Sequence, residues 1–289
     1  MPLKPEFAPA KINLTLEILG RRSDGYHELR SLVAFAADAG DRLTLTGDAP
    51  ALTKVEGPFA NALGHANLVD ATVETLTRIL PNVILGGLTL EKNLPVAAGI
   101  GGGSADAAAA LRLLSAAHPE IAGLDLTVIA RTLGADVPVC LRSRSAIMTG
   151  IGETIVDFEL PGEIFAILAN PLIEVPDNKT AEVFRLLRAQ PLPADATSER
   201  PPVLSSIGEL IRYAATRGNS LEAPARELFP QVGAMLSELA KLPRCRLAQL
   251  SGAGPTCFAL FDTQQAASLG VRVLKASWPQ WWVAATRLI

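Results

Sequence analysis

The sequence predicts an α+β fold in two lobes, with mixed or antiparallel sheets and a deep cleft between the lobes. Three observations carry this. Strand-like runs often follow one another with no helix between them, which disfavours an all-parallel βαβ design. Composition shifts near residue 155, suggesting one domain over 1–155 and a second over 156–289. A glycine-rich segment, residues 99–103, stands between a strand-like run and an alanine-rich helix. The chain has 289 residues, 49% of them hydrophobic. That is enough to bury a core without disulfide or metal staples.

The elements can be justified in chain order. Ile12, Leu14, Leu16 and Ile18 alternate with polar residues, the period of a strand. A polar, turn-rich loop follows at residues 20–25. Further strands are expected at 32–35 and 43–46. Asn67 is a cap for a helix running to Leu80, with Leu68, Thr72, Leu76 and Leu80 on one face. Residues 88–90 form a strand entering the glycine loop, and 104–117 form a strong Ala/Leu helix. A second helix at 126–133 stops at Gly134. Residues 146–158 read as a hairpin, 165–169 as a short buried strand and 181–187 as a short helix. A Pro/Ser/Ala-rich loop covers 191–202. Helices fill most of 204–242. Strands at 246–250 and 257–261 flank a second glycine turn, and a helix and a strand at 282–288 close the chain. Trp278, Trp281 and Trp282 are read as core.

Charge and cysteine content exclude several classes. The formal net charge is −3 and no block of Lys or Arg dominates, so neither nucleic acid nor a membrane surface is an expected partner. Cys140, Cys245 and Cys257 form no CxxC pair, and residues 1–6 do not read as a signal peptide, which fits reduced thiols in a cytoplasm. His27, His65 and His118 have no zinc-site spacing. The apolar stretch 94–114 is interrupted by Asp106, Arg112 and glycines, so no membrane span is expected.

The chemistry concentrates in Pro95-Val96-Ala97-Ala98-Gly99-Ile100-Gly101-Gly102-Gly103-Ser104-Ala105-Asp106. Glycines allow a close backbone approach, and the helix that follows offers free N–H groups and a positive dipole end. Such a segment suits a phosphate. It also reads as a glycine hinge before a packing helix. The spacing is not a Rossmann fingerprint, because Ser104 stands where its third glycine belongs, and no Walker A, HRD or DFG motif occurs.

This segment resembles the second motif of the GHMP kinase superfamily. Ala8-Pro9-Ala10-Lys11-Ile12-Asn13-Leu14 resembles the first motif, and Ser251-Gly252-Ala253-Gly254-Pro255-Thr256-Cys257-Phe258 the third. Gly20-Arg21-Arg22-Ser23-Asp24-Gly25-Tyr26-His27-Glu28-Leu29 and Leu133-Gly134-Ala135-Asp136-Val137-Pro138-Val139 are similar to segments of its 4-diphosphocytidyl-2-C-methyl-D-erythritol kinase branch.

The resemblance implies a two-lobed GHMP kinase fold and ATP-dependent phosphorylation of the 2-hydroxyl of that cytidyl diphosphate alcohol. It implies Lys11 and Asp136 as the catalytic pair. A buried lysine can neutralise transferred charge and a carboxylate can accept the hydroxyl proton. ATP is expected along Pro95, Val96, Ala97, Ala98, Gly99, Ile100, Gly101, Gly102, Gly103, Ser104 and Ala105, with Asn67 near the adenine. Mg²⁺ is expected on the phosphates, with Ser104 as its protein hydroxyl. The substrate falls to Asn13, Tyr26, His27, Phe184, Gly252 and Gly254, the aromatic rings stacking on the cytosine. Ala105 and Ala253 stand where relatives often carry a hydroxyl, which leaves phosphate contacts to backbone N–H groups. The assembly is read as monomer or homodimer. Alternatives are another kinase of the superfamily, acting on homoserine or mevalonate, and a non-catalytic nucleotide sensor.

Overall fold

The computed structural model describes residues 4–47, 53–63, 67–193 and 200–289. Its strands are β1 (Glu6–Asn13), β2 (Glu17–Arg21), β3 (His27–Thr46), β4 (Thr53–Glu56), β5 (Gly87–Glu91), β6 (Ala146–Gly150), β7 (Thr154–Asp157), β8 (Phe165–Asn170), β9 (Leu247–Leu250), β10 (Cys257–Phe261) and β11 (Trp282–Arg287). Its helices are α1 (Leu68–Ile79), α2 (Gly102–Ala117), α3 (Pro119–Ala122), α4 (Leu126–Leu133), α5 (Val137–Arg142), α6 (Lys179–Leu187), α7 (Ile207–Arg217), α8 (Glu222–Leu228), α9 (Pro230–Ala240) and α10 (Gln264–Ser277). Both antiparallel and mixed pairings occur, as the sequence predicts. Among the described residues, no helix is long and apolar enough to cross a membrane.

The chain forms two compact units, and neither follows a single cut in the sequence. Unit 1 is Met1–Lys11, Ala39–Val96 and Gly101–Ser143; unit 2 is Ile12–Asp38, Ala97–Ile100 and Arg144–Ile289. The compositional boundary near residue 155 falls inside the last segment of unit 2. The chain changes unit in the middle of β3 and twice within the glycine loop, which a shift in composition does not register.

In unit 1, α2 is the central element. Ala105, Ala107, Ala108, Ala109, Ala110, Leu111, Leu113 and Leu114 are all buried, against α1, α4 and α5. The small alanines let these helices approach closely. Asn67 caps α1, its side chain accepting from the Asp70 N–H at 2.8 Å. Asp125 caps α4 in the same way, and Gly134 ends it. β5 pairs antiparallel with the second half of β3 and parallel with β4.

Unit 2 holds a four-stranded antiparallel sheet in the order β11-β8-β10-β9. Its core joins Ile167, Ala169, Leu250 and Phe261 of the sheet to Val232, Met235 and Leu239 of α9. Trp281 belongs to this core, with Trp278 stacked on it at 4.7 Å between ring centroids. The first half of β3 pairs with β2 and β6, and β6 with β7.

Several expectations needed correction. The alternation over residues 12–18 is not one strand: β1 ends at Asn13 and β2 begins at Glu17. Leu14, Thr15 and Leu16 are all buried, their N–H groups going to Leu32 and Gly218 carbonyls. Alternation reports a face only where the other face meets water. The expected strands at 32–35 and 43–46 are parts of β3. Gly40 continues it because a Cβ there would lie 2.5 Å from the Ala8 carbonyl. α5 and β4 were not foreseen, α2 starts two residues early at Gly102, and α6 starts at Lys179. Of the 191–202 loop, residues 194–199 lie outside the described residues, as does His65.

Candidate active site

Lys11 sits within β1, not at its start, and is 4% exposed. Its ammonium donates to Asp136 Oδ2 at 2.6 Å. Asp136 occupies the cap position of α5 but makes no capping hydrogen bond. Its carboxylate therefore answers to Lys11, and its side chain remains 37% exposed. Gly101 brings the glycine loop to this pair. Its φ is +62°, and a Cβ there would meet Lys11 Cβ at 3.1 Å. No side chain caps α2, so its first N–H groups are left for an anion. Ser104 is half-buried in the first turn, and Ala105 is buried. Gly103 lies beside Leu68, which brings the start of α1 to the loop. The Asn67 amide itself is engaged by Asp70, donating at 2.6 Å.

The loop backbone has a distinctive alternation. Ala97, Gly99 and Gly101 all have positive φ, at 53°, 79° and 62°, whereas Ala98 and Ile100 do not. Alternation of hand along a chain turns successive N–H groups toward one point, which is an anion nest. Gly99 is required on a second count, since a Cβ there would lie 2.7 Å from Gly254 and Ser251 backbone atoms.

A buried triad behind α2 was missed by sequence reasoning. Lys92 donates to Asp41 at 2.5 Å and to Asp106 at 2.7 Å. Asp41 also accepts the Asn93 and Leu94 N–H groups. Burial raises the Asp106 carboxyl to about 8, Lys92 pulling the other way and Asp41 adding to the rise. Burial also opposes the Lys92 charge, but the two carboxylates outweigh it and leave its pKa raised. A protonated Asp106 makes the triad one cation and one anion, the cheapest charge state for a buried cluster. The signal available was Asp106 itself, a lone carboxylate on the buried face of an alanine helix.

In unit 2, the Asn13 amide donates to Ser31 Oγ at 2.8 Å, and its backbone N–H to Ser251 Oγ at 3.2 Å. Gly252 and Gly254 both need positive φ. A Cβ on Gly252 would lie 2.7 Å from the Gly99 carbonyl and 3.5 Å from Asn13 Oδ1. The third motif and Asn13 therefore adjoin within this unit.

A separate cavity of about 830 Å³ is lined by Arg21, Tyr26, His27, Phe184, Arg185 and Arg188, among others. The His27 and Phe184 rings meet at 4.9 Å with a 40° tilt. Tyr26 is 60% exposed, with its N–H held by Asp24 at 3.1 Å. Burial lowers the His27 pKa, and Arg21 lowers it further, so the ring is neutral near pH 7 and offers one donor and one acceptor. Sequence reasoning found the three rings but not the arginines around them.

Comparison with known proteins bears on both halves of the chain. Residues 67–144 match the GHMP kinases N terminal domain and residues 202–280 the GHMP kinases C terminal family. A protein of Rhodopseudomonas palustris (strain BisB5) named 4-diphosphocytidyl-2-C-methyl-D-erythritol kinase is 46% identical, the match covering 98% of each chain. A crystal structure of 4-(cytidine 5'-diphospho)-2C-methyl-D-erythritol kinase superposes with a TM-score of 0.77 at 34% identity, covering 99% of each chain. A homoserine kinase from Cytophaga hutchinsonii shares the fold at a TM-score of 0.65 and 16% identity, over 98% of this chain and 93% of its own.

Proposed function

The chain belongs to the GHMP kinase family, and from that premise we propose that it transfers the γ-phosphoryl group of ATP to the 2-hydroxyl of 4-diphosphocytidyl-2-C-methyl-D-erythritol, in the non-mevalonate route to isoprenoids. The reading that it is a small-molecule kinase using ATP rests on both matched family regions. The choice of alcohol rests on the names of its full-length relatives. One structural observation supports it: a cavity that gathers Tyr26, His27 and Phe184 with three arginines. Aromatic faces suit a pyrimidine ring and guanidinium groups suit a diphosphate. Homoserine and mevalonate have neither.

Phosphoryl transfer asks for positioning and charge neutralisation more than for covalent chemistry. In this reading the substrate hydroxyl attacks the γ-phosphorus, the bond to the β-bridging oxygen breaks and ADP leaves. Asp136 takes the hydroxyl proton. Lys11, buried and already paired with Asp136 at 2.6 Å, holds that carboxylate in place and opposes the negative charge of the transferring group. The nest at Ala97, Gly99 and Gly101 and the uncapped start of α2 receive the ATP phosphates. Asn13, Gly252 and Gly254 take the alcohol end of the substrate. Mg²⁺, when bound, would supply charge neutralisation to the phosphates. Among the described residues no group of three or more His, Cys, Asp or Glu could hold a metal. That suits an ion carried in by the triphosphate with few protein ligands, for which the Ser104 hydroxyl is the candidate.

A coupled ADP-release assay with ATP and the cytidyl diphosphate alcohol tests the reading. Turnover that depends on that alcohol is expected. ADP release with homoserine or mevalonate instead would move the protein to another branch of the family.

A further inference from the structure

Lys179 opens α6 and is 4% exposed. Among the described residues no Asp or Glu pairs with it. Its ammonium donates to two carbonyl oxygens instead, Ala97 at 2.8 Å and Gly254. One belongs to the second motif and the other to the third, so a single buried side chain holds both glycine loops.

Three successive carbonyls of the second motif are held on this side. Ala97 accepts from Lys179, Ala98 from the Thr256 N–H at 3.1 Å and Gly99 from Ser251 Oγ at 3.1 Å. In a trans peptide the N–H points opposite to the C=O. The N–H groups of Ala98, Gly99 and Ile100 are therefore turned away from the third motif, toward the concave side of the nest. Ala97 is the weak point, since it is the one residue of the alternation that is not glycine yet has φ +53°. A left-handed alanine is disfavoured and persists only where its surroundings fix it. The Lys179 hydrogen bond is the contact that fixes its carbonyl.

We propose that Lys179 is a positioning residue for the nucleotide: by clamping the Ala97 and Gly254 carbonyls from the base of α6, it sets the hand of the phosphate nest and joins the helix that carries Phe184 to that nest. The inference rests on the reading that ATP phosphates lie against the second motif. Lys179 touches no reacting atom. Burial alone lowers its pKa, to about 8. On α6 and the neighbouring α8, Glu182 pairs with Arg185 and Glu222 with Arg226. In the third motif, burial pushes the Cys257 thiol up, so it adds no charge near neutral pH.

The test is equilibrium binding of a non-hydrolysable ATP analogue with Mg²⁺ to the full chain, by calorimetry, for wild type and Lys179→Met. The methionine keeps the length and removes the donor, leaving two buried carbonyls unsatisfied. Affinity should fall about tenfold to a hundredfold, the usual range for a hydrogen bond to a charged group. At saturating ATP, kcat should change far less than the KM for ATP. Wild-type affinity should weaken between pH 7 and pH 9.5 as the ammonium is lost, and the variant should show no such change. Equal affinity in a folded variant overturns the inference while leaving the kinase reading intact. Should the variant fail to fold, a pH-independent wild-type affinity overturns it equally. A wild-type chain that binds no analogue at any pH overturns both.

Discussion

Asp136→Asn tests the proposed general-base role of this carboxylate apart from its pairing with Lys11. Asparagine keeps the shape and one oxygen acceptor for Lys11 but cannot take a proton. The structural loss starts from a charge-assisted contact of 2.6 Å, a type worth about 1.5–3 kcal/mol. Asp136 is 37% exposed at its side chain, so solvent screens part of this, and about 1 kcal/mol is the expected loss. For a chain of this size that lowers the melting temperature by about 2–4 °C. Loss of a general base costs about 10²–10⁴ in kcat. The variant should therefore be nearly as stable as wild type, bind both substrates and turn over at least about a hundredfold more slowly. Initial-rate kinetics by coupled ADP release, beside a thermal melt, measure both quantities. A variant with kcat within about tenfold of wild type would refute the assignment of Asp136 as the base, whatever its stability.

Three further outcomes follow from the same geometry. Tyr26→Ala and Phe184→Ala should each raise the KM for the cytidyl substrate about tenfold, from the ~1–3 kcal/mol of a stacked base, with the KM for ATP unchanged in initial-rate assays. Tyr26→Ala should not alter the melt, since that side chain is exposed. Gly101→Ala forces a left-handed alanine against Lys11; a loss of about 1–2 kcal/mol and a fall in kcat are expected from melts and kinetics. Asp106→Asn addresses the buried triad. A carboxyl raised from 3.8 to about 8 holds its proton in the folded state and releases it in the unfolded one between those values. Its contribution to stability is therefore complete below about pH 4 and lost as pH rises toward 8. Denaturant titrations from pH 5 to 8.5 should show a decline in the wild type that the Asn variant lacks.

The glycine loop was legible in the sequence as a local pattern, and Lys11 and Asp136 through the resemblance of their short segments to family motifs. An alanine helix after four glycines, a helix stop followed by Asp, and a lysine in a β-rich run all occupy short windows. Tyr26 and His27 were legible as part of one loop. The arginines around them were not: Arg21 stands beside Tyr26 and His27 in sequence, and Arg185 and Arg188 beside Phe184, but only the fold brings these two distant segments to one cavity. The Lys92 triad was hidden because its members are separated in sequence: Asp41 lies in β3, Lys92 just past β5 and Asp106 in α2, and nothing near any of them marks the other two. Lys179 carries no local mark either, since the carbonyls it holds, Ala97 and Gly254, lie 82 and 75 residues away in the chain.

The sequence by itself determined the α+β class with mixed sheets, the order of nearly every element and the family chemistry, because periodicity, capping and motif spacing are properties of contiguous residues. It also named Lys11 and Asp136, the pair proposed as catalytic. Tertiary structure decided the rest. It ran β3 unbroken through residues 36–42, broke the Ile12–Ile18 alternation at a buried turn, and divided the chain into interleaved units instead of at a single boundary near residue 155. It also set a buried lysine on the carbonyls of two glycine loops. Each of these depends on which distant backbone lies within hydrogen-bonding distance, and only the folded chain determines that.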